Sequence, residues 1–190
     1  MSLTRRQTWY EQFHDVSLEQ LVFIDEFGAT TDMTRLYARG VVGERVVCKT
    51  PQGHWKTIST IAAMSKIGII SACCFDGATD TAMFVTFVEK FLLPVLAAGQ
   101  IVVLDNLSAH RSPRVDELVE SVGARVLRLP PYSPDYNPIE MAISKIKSLL
   151  RKLSRRSVVD LYEGIACALD SITPQDARNF IQHCKYAMSE

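Results

Sequence analysis

The chain has 190 residues, 47% hydrophobic and 22% charged, and its 21 basic and 21 acidic side chains cancel. Such a composition fits one globular domain and excludes a disordered tail, a collagen-like fibre and a disulfide mini-protein. The longest uninterrupted apolar run, residues 91–98, holds a proline and falls far short of the ~20 residues of a membrane span.

The N-terminal segment MSLTRRQTWYEQFHD lacks the apolar centre of a signal peptide, so the expected location is the cytoplasm, without a membrane partner. LVFID (21–25) is an apolar run ending in acid and predicts a buried strand. Residues 26–55 form a long excursion of mixed composition, of the kind that is often functional. KTISTIAAM (56–64) and GIISACCFDG (68–77), rich in Ile, Thr and Ala and separated by a tight break, predict an antiparallel hairpin. Asp80 is placed to cap a helix over 81–98, with Phe84, Phe87, Val88, Phe91 and Leu92 on one stripe and Gly99 at its end.

IVVLDN (101–106) is a second apolar run ending in acid. Ser112–Pro113 opens a helix to about Val122, and ARVLRL (124–129) predicts another strand. The stretch LPPYSPDYNP (129–138) holds four of the eight prolines and predicts an ordered extended loop. A helix follows from Asn137–Pro138 to about Leu153, then two more over roughly 157–170 and 174–185. The order predicts an α/β chain on a mixed five-stranded sheet, three strands antiparallel and two added in parallel through helical crossovers. The five cysteines (48, 73, 74, 167 and 184) form no CxxC pair and read as buried reduced thiols.

Asp25 and Asp105 stand where apolar strands end, and sites in open α/β sheets form outside such ends. Glu140 opens the helix after the proline-rich loop, with 34 residues between it and Asp105. Three carboxylates brought together repel one another unless they bind hard divalent cations, and a two-metal carboxylate site suits phosphodiester cleavage. No Walker loop, G-x-S-x-G elbow or HExxH motif competes. The plainer readings are strand-ending turns for the two aspartates and a capping box, Asn137 to Glu140, for the third acid. Glu26, next to Asp25, points to the opposite face of the strand, and pattern alone does not choose between them.

FIDE (23–26), VVLDNLSAH (102–110) and LPPYSPDYNPIE (129–140) together resemble the catalytic domain of bacterial insertion-sequence transposases of the mariner-type superfamily, over about residues 18–185. The resemblance implies an RNase H-like fold, with Asp25, Asp105 and Glu140 as a DDE catalytic triad holding two Mg²⁺ ions, for which Mn²⁺ substitutes. It selects Asp25 over Glu26. Asn106 and His110 match the family's DNxxxH pattern, His110 as a helix-flanking polar contact rather than a chemical participant, and Asn137 and Pro138 match the NPxE that positions the third acid. It further implies hydrolysis at transposon ends, strand transfer into target DNA, a dimer or larger assembly, and a location at the bacterial nucleoid. Two departures stand out. Ile143 occupies the position of a tryptophan common in relatives, and only about 20 residues precede the first strand, too few for the family's helix-turn-helix region. The expectation is therefore a single catalytic domain over 1–190, with a core at about 18–153 and a helical extension at about 157–185, which partners a helix-turn-helix region from an upstream frame. The alternatives are a structure-specific nuclease or resolvase on the same fold, and a truncated or adopted copy that only binds DNA or its partner.

Residues 141–156 carry six cations and no acid. On a helix, Ile139, Ala142, Ile143, Ile146, Leu149, Leu150 and Leu153 form an apolar stripe, with Glu140, Ser144, Lys147 and Arg151 on one flank. Lys145, Lys147, Arg151, Lys152, Arg155 and Arg156 are thus the expected phosphate-binding surface, against the plainer reading of a solvated basic face.

Overall fold

A computed structural model describes Trp9, Phe13 and residues 16–47, 53–131 and 133–186, apart from the side chains of Ser108 and Ala109. Five strands form one sheet: β1 (Leu21–Thr30), β2 (Thr57–Ser65), β3 (Gly68–Asp76), β4 (Ile101–Leu104) and β5 (Arg125–Arg128), in the order β3-β2-β1-β4-β5. β1, β2 and β3 are antiparallel, while β4 pairs parallel with β1, and β5 with β4. The three-plus-two arrangement read from the sequence is therefore the observed one.

β1 is twice as long as the apolar run suggests. Asp25 lies in its middle, because residues 26–30 continue to pair with β2. Phe27 and Ala29 are buried while Gly28 is exposed, the alternation of a half-covered strand. The excursion therefore begins only after Thr30.

Helices α1 (Thr81–Phe87) and α2 (Pro113–Ser121) cover one sheet face; α3 (Ile139–Leu153), α4 (Val158–Asp170) and α5 (Pro174–His183) cover the other. Asp80 caps α1 by accepting from Met83 N–H at 2.8 Å. Beyond Phe87 the helix changes character, passing through a π turn (Val88–Leu92) and a 3₁₀ turn (Leu93–Val95). Pro94, with no N–H and a ring that crowds the preceding turn, disfavours regular α geometry there. Phe91 consequently leaves the expected stripe and is exposed.

On α3, Ile139, Ala142, Ile143, Ile146 and Leu150 are buried, whereas Leu149 and Leu153 sit at the margin. Ile143 packs where the resemblance leads one to look for tryptophan. The helix ends on Ser154 in the left-handed conformation. α4 and α5 contribute Leu161, Ile165, Ala168, Ala177 and Ile181 to the same core as β1 and α3. Cys73 and Cys74 are half-buried, Cys184 is buried, and Cys167 is exposed, contrary to its reading as a core thiol; Cys48 lies outside the described residues. Among the described residues no helix is long and apolar enough to cross a membrane.

Candidate active site

The pleat of β1 decides which acid meets which layer. Leu21, Phe23, Phe27 and Ala29 face α3–α5, and Val22 and Ile24 face α1 and α2. Alternation sends Asp25 toward α3 and Glu26 the other way. β4 repeats the pattern, with Val103 on the α3 side and Val102 and Leu104 opposite, so Asp105 emerges on the α3 side as well. Phe23 pairs in register with Val103, which sets Asp25 and Asp105 level on neighbouring strands. The proline-rich loop delivers the first turn of α3 to the same place. Asp25, Asp105 and Glu140 line one cavity of about 400 Å³, together with Asn106, Arg111, Ser133 and Asn137.

Asp25 is 8% exposed. Its Oδ1 accepts the Glu26 N–H at 2.7 Å and its Oδ2 accepts from Asn137 Nδ2 at 2.9 Å. Burial pushes the carboxyl up to about 7; the Glu26 N–H opposes this, and the charges of Glu140 and Asp105 add to it. Burial also acts on Asp105, but there hydrogen bonds from His110 and from the Leu107 N–H outweigh it and hold the carboxyl below the usual aspartate range. Asn106 donates to the Leu129 carbonyl at 2.8 Å and so ties the end of β4 to the start of the proline-rich loop. Pro138 sits at the N-cap of α3, where no side chain caps the helix. The capping-box reading of Glu140 is therefore not realised: the Glu140 N–H donates to the Asn137 backbone carbonyl at 3.1 Å, and no helix N–H reaches the Asn137 side chain among the described residues.

His110 is wholly buried, and this is more than a flanking contact. Its Nδ1 lies 2.6 Å from Asp105 Oδ1 and its Nε2 2.8 Å from Glu26 Oε1. Burial alone lowers an imidazole's affinity for protons, but the two carboxylates reverse this and raise His110 to about 9. Both nitrogens then donate, since an ionised carboxylate only accepts. Neither nitrogen is left to bind a metal.

Among the described residues, no three His, Cys, Asp or Glu side chains stand close enough to coordinate an ion as they lie. The donor chemistry around the cavity nevertheless fits a hard divalent cation: three carboxylates, no thiol, and a mutual repulsion that a cation offsets.

The cations of residues 145–156 divide. Lys145 Nζ bonds to Asp176 Oδ2 at 2.6 Å and the Ser171 carbonyl at 3.1 Å, which ties α3 to α5. Arg156 Nη1 donates to the carbonyls of Thr31 and Met33, each at 2.9 Å. Arg155 lays its stem against Gly164. Arg151 and Lys152 instead line a groove of about 870 Å³ with Arg35 and Arg39, and Lys147 is half-buried on the same helix. Arg35, Arg39 and Arg111 escaped the sequence reading. Arg111 had a signal in its place directly after the DNxxxH pattern, while Arg35 and Arg39 sit in the excursion, where no periodicity points to a partner.

The sequence matches the family described as DDE superfamily endonuclease over residues 20–161. The chain belongs to this family. No curated protein matches the sequence significantly. Among solved structures this DDE endonuclease is similar to that of a pre-cleavage Mos1 transpososome (TM-score 0.76, 13% identity, covering 94% of this chain and 58% of that one). It is also similar to the mariner Mos1 paired-end complex with Mg (TM-score 0.71, 17% identity, 94% and 58%). A third similar structure is the Mos1 transposase catalytic domain with Raltegravir and Mg (TM-score 0.66, 14% identity, 97% and 94%). At these identities the likeness establishes the fold, the RNase H-like one implied by the motifs. The chain spans about 58% of the length of the transpososome protein and nearly all of the isolated catalytic domain.

Proposed function

We propose that this chain is the catalytic domain of a DNA transposase, which hydrolyses a phosphodiester at transposon ends and joins the freed 3′-hydroxyl to target DNA. One observation carries the reading: Asp25, Asp105 and Glu140, from three separate elements, line a single cavity in a DDE endonuclease. Asp25, Asp105 and Glu140 would hold two Mg²⁺ ions, or Mn²⁺ in their place; the Mos1 structures described as complexes with Mg or Mn are in keeping with this. Bound ions of this kind activate water and stabilise the leaving oxygen of an in-line displacement.

The chain's own residues supply the geometry. Asn137 fixes the Asp25 carboxylate through Oδ2, and His110 fixes Asp105 through Oδ1. Pro138 limits the backbone freedom of the turn that presents Glu140. Arg111, at the cavity wall, is placed to neutralise a phosphate that enters. Arg151 and Lys152, with Arg35 and Arg39 across the groove, hold the phosphodiester backbone beyond the reacting group, and Lys147 extends this surface. Lys145 and Arg156 serve the fold instead, and Arg155 contributes its stem to packing. A second copy of the chain and a separate end-reading region complete the assembly.

Nicking of supercoiled plasmid by the purified chain with Mn²⁺ or Mg²⁺, beside Asp105→Ala, tests the hydrolytic half of this reading. The parent nicks and the variant does not. Equal nicking by both sinks the triad assignment. Joined products from a pre-cut transposon end then separate a transposase from a nuclease that only cuts.

A further inference from the structure

Glu26 lies across the sheet from the cavity, on the side of α1 and α2, yet one imidazole connects it to the site. His110 is held at every point from which it could move. Its Nδ1 meets Asp105 Oδ1 at 2.6 Å and its Nε2 meets Glu26 Oε1 at 2.8 Å. Phe84 covers a ring face, with centroids 4.0 Å apart and planes 35° apart. The His110 carbonyl accepts from Arg128 at 3.0 Å, and Arg128 is itself anchored by Asp116 at 2.9 Å. At the other end of the ring, Asp105 Oδ1 receives both Nδ1 and the Leu107 N–H. Among the described residues no hydrogen bond falls on Oδ2.

We propose that Glu26 is a positioning residue for the metal site: it holds the far nitrogen of His110, aims the near nitrogen at Asp105 Oδ1, and so leaves Asp105 Oδ2 presented to a divalent cation. This rests on the reading of Asp105 as a metal ligand. The competing view is that Glu26 merely satisfies a buried ring, and it makes a different prediction. A structural partner affects how well the chain folds. A positioning partner affects how well the folded chain binds metal, and loss of such partners behind a ligand typically costs about 10–100-fold in metal affinity or activity.

The test is Mn²⁺ binding to the full chain, followed by electron paramagnetic resonance, for the parent, Glu26→Gln, Glu26→Ala and Asp105→Asn. Circular dichroism, thermal midpoints and DNA affinity are measured beside it. Glutamine keeps the shape of Glu26 but can turn its NH₂ to the ring, so the acceptor at Nε2 is no longer obligatory. Glu26→Gln is expected to weaken Mn²⁺ binding about tenfold with the parent's circular dichroism and DNA affinity. The Mn²⁺ concentration for half-maximal nicking rises with it, and Glu26→Ala loses at least as much. Should Glu26→Ala fail to fold, Glu26→Gln decides alone. Parent-like Mn²⁺ affinity in Glu26→Gln overturns this inference alone, whatever its thermal midpoint, provided that Asp105→Asn still loses the ion. A parent that binds no Mn²⁺ dependent on Asp105 overturns the metal reading, and this inference with it.

Discussion

Replacing Asp25 by asparagine is expected to make the metal-free protein more stable, and the size of the gain follows from where the carboxylate sits. Asp25 is buried beside two other acids, and its carboxyl is displaced from the ordinary aspartate value near 4 to about 7. At about 1.4 kcal/mol per pH unit, ionising it in the folded state costs up to about 4 kcal/mol. Solvent in the adjoining cavity screens part of this, leaving about 2 kcal/mol. Asparagine removes the charge without stranding a hydrogen bond, because Asn137 Oδ1 is buried with no partner among the described residues and can turn to accept from the new amide. The pH dependence has a definite sign. Below about pH 4 the folded and unfolded states are both protonated and the substitution gains little. Between about pH 4 and 7 only the folded state keeps its proton, and the gain grows; above about pH 7 it is complete. Thermal unfolding in EDTA measures it. For a chain of this size about 2 kcal/mol corresponds to a rise of about 4–8 °C at pH 8, falling to about a third of that at pH 5. An unchanged midpoint at pH 8, or the same rise at both pH values, refutes the account of Asp25 as a buried, repelled carboxylate.

Gly68 holds φ +114°, and a Cβ there would stand 2.7 Å from the backbone oxygen of Ile172. Gly68→Ala is therefore expected to lose about 2–4 kcal/mol in urea unfolding; a loss under about 1 kcal/mol means that the hairpin turn does not abut the α4–α5 connection. The groove cations and the fold cation should separate cleanly. Arg151→Ala and Lys152→Ala each weaken DNA binding and flatten its salt dependence by about one phosphate contact. Lys145→Ala leaves that slope unchanged and lowers stability by about 1 kcal/mol through loss of its bonds to α5. A salt slope altered by Lys145→Ala alone reverses the assignment.

The elements were legible wherever local chemistry marks them. Asp80, Ser157 and Thr173 cap the helices they precede, and Gly123 takes the positive φ expected of a terminator; the helical run from Thr81 instead stops at Val95, short of Gly99. β1 runs five residues past the acid at which its apolar stretch ends. The alternation of Phe27 and Ala29 with Gly28 and Thr30 was present, but it competes with the expectation that a carboxylate stays out of a sheet. The choice between Asp25 and Glu26 was not legible from pattern, since both faces of β1 are covered by helices, and only the motif resemblance favoured one. The placement of His110 between two carboxylates depends on side chains 84 and 5 residues away, a tertiary fact with no local signature. Lys145, Arg155 and Arg156 share the composition of a phosphate-binding face with Lys147, Arg151 and Lys152. What divides them is where α5, Gly164 and the carbonyls of Thr31 and Met33 happen to lie.

The most direct test of the central claim is to locate the metal. Crystals of the chain soaked in MnCl₂, with data collected at a wavelength where Mn²⁺ scatters anomalously, should show a peak inside the cavity bounded by Asp25, Asp105 and Glu140, lost in Asp105→Asn crystals soaked alike. No peak in that cavity in crystals that take up Mn²⁺ elsewhere, or a peak that persists in Asp105→Asn, contradicts the assignment of these three carboxylates as the metal-binding site.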